Sequence, residues 1–160
     1  MLVVIILGSP SDRTWGQQIE AALTEFSIPS ETRIASAHKT PQRLLEIVQS
    51  YEASRDDVVY ITVAGRSNAL SGMVDAHVAA PVIACPPYSD RYGGADVWSS
   101  LRTPSGVAPA VVLDAENAAL LAAKILALNN PQLREKVRQM QNRQRSRLMD
   151  ADGSTNGQVS

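Results

Sequence analysis

LVVIILGSPSD, residues 2–12, decides the fold. Leu2–Leu7 is wholly apolar and rich in Val and Ile, too short for a buried helix and suited to a strand covered on both faces. It stops at the polar cluster Gly8-Ser9-Pro10-Ser11-Asp12. A helical pattern follows from about Asp12 to Phe26, with Ile19, Ala22, Leu23 and Phe26 on one face. The same succession recurs twice. Glu31–Ala35 stops at Ser36-Ala37-His38-Lys39-Thr40-Pro41, and Val58–Val63 stops at Ala64-Gly65-Arg66-Ser67-Asn68, with Gly72 closing the segment.

Working outward, a second helix opens at Thr40-Pro41, where proline suits the first turn, and a third is predicted over Ala69–Val78. Pro81–Cys85 and Pro109–Leu113 read as further strands. They are separated by a Gly- and Asp-containing loop and a short helix near Asp96–Leu101. Glu116–Leu128 is an Ala/Leu-rich helix. Alternating strands and helices predict an α/β fold, a parallel five-stranded sheet with helices on both faces. The three polar clusters then share one edge, where open α/β sheets bind ligands.

Residues 1–130 are expected to form this domain. A last helix, Leu133 to about Met149, carries many arginines and few apolar residues, and is expected to pack on another subunit. Residues 151–160 have the composition of a flexible tail.

The totals exclude several functions. A net charge of −1 gives no argument for nucleic acid or a membrane surface, and no apolar run is long enough to span a membrane. Leu2–Leu7 lacks the length and flanks of a signal-peptide core, so a cytoplasmic location is expected. The single cysteine, Cys85, forms no internal disulfide and no Cys-x-x-Cys site; it reads as a strand-end packing residue. No metal, biotin or nucleotide cofactor site is evident.

The clusters carry the chemistry. Gly8, Ser9 and Ser11 offer backbone approach, hydroxyls and helix-start N–H groups to a phosphate, although Ser11 or Asp12 could equally serve as a helix cap. Asp12 would repel phosphate and suits ribose hydroxyls instead. His38 is a candidate proton acceptor beside Lys39, with a backbone-bonded loop histidine as the other reading; His77 reads as structural. Gly65, Arg66, Ser67, Asn68, Ser71 and Gly72 place a guanidinium and polar side chains at the third strand end. They suit a planar oxyanion, or a helix cap with a surface salt bridge.

Taken together, GSPSD, SAHKTP, AGRSNALSGM, CPPYSDRYGGADVWSSLRTPSG and AENAALLAAKIL resemble the phosphoribosylaminoimidazole carboxylase family from about Val3 to Leu128. SAHK and GRSNALSG, with the CPP…DVWSSLR segment, look like its class II branch, which carboxylates aminoimidazole ribonucleotide (AIR) with carbon dioxide directly. The mutase branch uses the carboxyamino isomer and carries SAHR with a GGAAHLPG-like loop.

The resemblance implies a flavodoxin-like three-layer sandwich in a homo-oligomer, generally an octamer, and no cofactor. It implies that Ser9, Ser11 and Asp12 hold phosphate and ribose. Ser36, Ala37, His38 and Lys39 would lie beside the imidazole and carbon dioxide, with the GRSNALSG loop closing over them. His38 and Lys39 are the expected catalytic residues. The rival readings are the mutase and a non-catalytic nucleotide-binding module.

Overall fold

The computed structural model describes residues 1–53 and 57–156. Five strands, β1 (Leu2–Leu7), β2 (Ser30–Ile34), β3 (Val58–Val63), β4 (Val82–Ala84) and β5 (Ala110–Val111), form one parallel sheet in the order β2-β1-β3-β4-β5. This is the flavodoxin-like order, whose direction reverses between β1 and β3. The register Leu7↔Val63 brings the ends of those two strands level, and therefore the two loops that follow them.

Alternation along the central strands divides the core. Val3, Ile5, Leu7, Val59, Ile61 and Val63 pack with α1 (Arg13–Glu25), α5 (Ala115–Leu126) and the start of α6 (Pro131–Asn156). Val4, Ile6, Val58 and Tyr60 pack with α2 (Pro41–Glu52) and α3 (Ala69–Asp75) on the opposite face. All of β3 is buried, as a strand covered by helices on both faces requires. The small side chains of Ala115, Ala118, Ala119, Ala122 and Ala123 are all buried on α5, which lets that helix lie close to the sheet and to α1.

Several elements are shorter than their patterns predict. β5 spans only Ala110–Val111, because it is an edge strand, Pro109 has no N–H, and the chain turns at Asp114 to cap α5. α1 begins at Arg13, after a 3₁₀ turn over Pro10–Asp12 whose N-cap is Ser9. α3 stops at Asp75, and the chain turns before β4. The helix expected near Asp96 spans Trp98–Leu101 (α4); 3₁₀ turns over Arg91–Val97 precede it, with Tyr92, Gly93 and Gly94 all left-handed.

The last helix departs the other way. It runs to Asn156, beyond the expected stop at Met149 and into the stretch expected to be a flexible tail. No proline interrupts it, and a single glycine costs a helix only about 1 kcal/mol. Residues 157–160 of that expected tail lie outside the described residues. Its first turns dock on the chain's own domain: Leu133 and Val137 are buried, Asn130 accepts from the Leu133 N–H at 2.9 Å, and Lys136 reaches the Phe26 carbonyl at 3.2 Å. Leu148 and Met149, further along, are exposed. No described helix is long and apolar enough to cross a membrane.

Candidate active site

The loops after β1, β2 and β3 converge on a cavity of about 640 Å³ at the carboxyl edge of the sheet. It is lined by Gly8, Ser9, Ser11 and Asp12 from the first loop. Ser36, Ala37, His38 and Lys39 come from the second, and Ala64, Gly65, Arg66 and Ser67 from the third. Leu70, at the start of the helix after the third loop, also lines it.

The loops after β1 and β2 are each held by their own short-range bonds. Ser9 Oγ accepts from the Ser11 backbone N–H at 3.3 Å and from the Ser11 hydroxyl at 2.9 Å, so the two hydroxyls stand side by side. In the second loop, Ser36 and Thr40 tie the ends together. The Ser36 N–H donates to Thr40 Oγ1 at 2.9 Å, and the Lys39 N–H donates to Ser36 Oγ at 3.2 Å. His38 and Lys39 stand at its exposed tip, their side chains unpaired among the described residues. Pro41 follows at the first turn of α2.

Electrostatics divide the cavity. Burial pushes the Asp12 carboxyl above its usual range, against the backbone of Ser9, the Ser11 hydroxyl and the charge of Arg66, which all pull it down. Lys39, Arg66 and Arg91 line the same space. Two carboxylates, Asp12 and Asp96, among three cations and several hydroxyls leave the pocket with one net positive charge, suited to an anion that also carries hydroxyl donors.

Not every residue singled out in the sequence reaches this cavity. Asn68 is buried and caps α3, its Oδ1 accepting from the Ser71 N–H at 3.2 Å. Ser71 is buried with its hydroxyl unpartnered among the described residues, and Gly72 faces Val107. These three stand behind the third loop.

Pro87, Ser89, Arg91 and Asp96 do line the cavity, as a fourth wall from the long loop after β4. Its unusual length and Gly/Asp content signal a functional loop in the sequence, but nothing local singles out Ser89 or Arg91.

The other candidates lie elsewhere. His77 Nδ1 lies 2.7 Å from the Met73 carbonyl one helical turn back. Cys85 is buried, receives the Trp15 indole N–H at 3.3 Å, and has its thiol pushed up to about 11 by burial. That environment is the opposite of a nucleophilic thiolate's. Among the described residues no cluster of His, Cys, Asp and Glu could hold a metal ion.

Fold and cavity together define the class: a flavodoxin-like α/β protein with a polar cavity at its topological switch point. Residues 2–147 match the family model for AIR carboxylase. The chain is 57% identical to the phosphoribosylaminoimidazole carboxylase of Archaeoglobus fulgidus, covering 95% of this chain and 83% of that one. It is 45% identical to the protein of the same name from Treponema denticola, covering 94% and 95%. The mouse bifunctional phosphoribosylaminoimidazole carboxylase/succinocarboxamide synthetase is 43% identical over 85% of this chain and 32% of its own length. The crystal structure of Treponema denticola PurE superposes with a TM-score of 0.94, at 44% identity and covering 96% of this chain and 97% of that one. The chain belongs to the AIR carboxylase family.

Proposed function

We propose that the cavity is where this chain, a carboxy-lyase of purine biosynthesis that converts AIR to 4-carboxy-5-aminoimidazole ribonucleotide, joins carbon dioxide to the imidazole directly. One observation carries the reading: three strand-end loops of different chemistry meet in one cavity of nucleotide size.

In this reading the loop after β1 holds the ribose phosphate. Gly8 lets the backbone approach, the Ser9 hydroxyl donates to phosphate, the Ser11 hydroxyl does so on turning away from Ser9 Oγ, and Asp12 accepts from the ribose hydroxyls. The imidazole then extends toward Ser36, Ala37, His38 and Lys39.

The amino group of AIR makes carbon 4 of the ring nucleophilic. Carbon 4 attacks carbon dioxide, and the new carbon–carbon bond leaves that ring atom tetrahedral, bearing both hydrogen and carboxylate. Holding the two reactants together supplies much of the acceleration. Lys39, with Arg66, stabilises the negative charge that gathers on the carboxylate oxygens. His38 takes the proton from carbon 4, the electron pair returns to the ring, and aromaticity is restored. Gly65 and Ser67 belong to the loop that shapes this end, with Asn68, Ser71 and Gly72 at the start of α3 supporting it from behind. A homo-oligomer, generally an octamer in the resembling family, would cover the exposed far end of α6.

An ultraviolet assay with AIR and bicarbonate, without ATP, tests the reading against a parallel reaction offered only the carboxyamino isomer. Turnover of AIR alone is expected. Turnover of the isomer alone would replace the direct carboxylase with the mutase of the same fold, and activity with neither would revive a nucleotide-binding module.

A further inference from the structure

Arg66 lines the cavity from a backbone that favours glycine, with φ at 61°. A non-glycine residue persists there only when its surroundings hold it. Both of its peptide groups are held by the loop after β4. The Arg66 N–H donates to Asp96 Oδ2 at 3.1 Å. Its carbonyl lies 3.0 Å from Ser99 Oγ.

Ser99 makes further bonds in the same place. Its Oγ accepts from the Asn68 N–H at 3.0 Å and lies 2.7 Å from the Asp96 carbonyl, so its single hydroxyl hydrogen serves the Arg66 or the Asp96 carbonyl. One residue further, the buried Ser100 Oγ accepts from Asn68 Nδ2 at 3.0 Å. The bonds bridge about thirty residues of chain, so no local preference of the GRSN segment supplies them.

We infer that Asp96 and Ser99 are positioning residues for the carboxylation: they pin the left-handed turn at Arg66 and so aim its guanidinium into the cavity. The inference rests on the reading of Arg66 as a substrate-facing cation. It assigns Asp96 a role as a hydrogen-bond acceptor for backbone, not as a charge for the substrate.

The test compares Asp96→Ala, Ser99→Ala, Asp96→Asn, Arg66→Ala and the Asp96→Ala/Arg66→Ala pair by kcat and KM in the ultraviolet assay, with a thermal melt of each. A misaimed group costs on the order of 10- to 100-fold in rate, and Asp96→Ala is expected to lower kcat/KM by that much. Ser99→Ala is expected to lower it in the same direction, and keeps the test open should Asp96→Ala fail to fold. Asp96→Asn, which retains an acceptor oxygen, should recover most of the loss. In the Arg66→Ala background the Asp96→Ala penalty should nearly vanish, because the two act through one group.

Wild-type kinetics from Asp96→Ala and Ser99→Ala would overturn the inference. So would an Asp96→Asn variant as impaired as the alanine, or a penalty undiminished without Arg66. The wild type, run first, separates this failure from failure of the functional reading. If it turns over only the carboxyamino isomer, the variants are compared on that substrate. If it turns over neither, calorimetric affinity for AIR carries the same comparison.

Discussion

Gly8 leaves no room for a side chain beside Ala64 at the switch point of the sheet: a Cβ on Gly8 would stand 3.2 Å from the Cβ of Ala64 and 3.4 Å from the Val63 carbonyl. Both neighbours are fixed to the end of β3, so neither can swing aside. The loop after β1 and the Arg66 loop are close because position 8 has no side chain.

Gly8→Ala is therefore expected to push the two loops apart. Overpacking of this kind costs about 1–3 kcal/mol. At about 2–4 °C per kcal/mol for a chain of this size, the melting temperature should fall by roughly 2 to 12 °C. The KM for nucleotide should rise as well. Calorimetric melting beside steady-state kinetics checks both, and an unchanged melt would mean the contact relaxes freely.

His38→Asn should still bind AIR but lose on the order of 10² to 10⁴ in kcat, the usual worth of a positioned base. Near-normal turnover would remove His38 from the proton-transfer step.

Lys39→Ala should weaken saturation by carbon dioxide, by nucleotide, or by both, and separate titrations of the two substrates tell these apart. If neither titration moves, Lys39 does not touch the reacting groups.

Asp12 sets function against stability. Because burial raises its carboxyl above 3.8 in the folded protein, folding favours the protonated form. Its contribution is complete below 3.8 and is lost as pH rises through the folded-state value, so at pH 7 the ionised group is a net cost. Asp12→Asn should make the unliganded protein more stable to urea at pH 7. The same change should raise KM on the order of 10- to 100-fold if the carboxylate accepts from ribose hydroxyls. A less stable variant would contradict the dominance of burial.

Cys85 should resist iodoacetamide at pH 8 until the chain unfolds, since burial pushes its thiol up to about 11. The unfolded chain ionises first, so this group leaves stability level below pH 9 and lowers it between pH 9 and about 11. Mass spectrometry of alkylated protein with and without urea reads the first, and urea titrations across that range read the second.

Much of this was open to view in the chain. Short, β-branched-rich runs such as Leu2–Leu7 and Val58–Val63 suit strands covered on both faces, so the parallel sheet followed from run length, composition and the helical patterns between. That topology alone brings Ser9, His38 and Arg66 to one edge, because parallel strands all end on the same side. Boundaries fared less well where competing contacts decided them, as at β5 beside Pro109 and at the end of α6.

What the sequence determined by itself was local or topological: which segments are strands, where each stops, and which polar clusters share an edge. The tertiary structure alone decided which members of a cluster face the cavity. Asn68 and Ser71 sit two and five residues past Arg66, yet packing at the start of α3 turns one into a cap and buries the other. It alone also brought Arg91 and Asp96 to the site. Their approach depends on three successive left-handed residues at 92–94 and on hydrogen bonds to a loop some thirty residues earlier. Such bonds form between groups distant in the chain, and no pattern within either segment encodes where the other will lie.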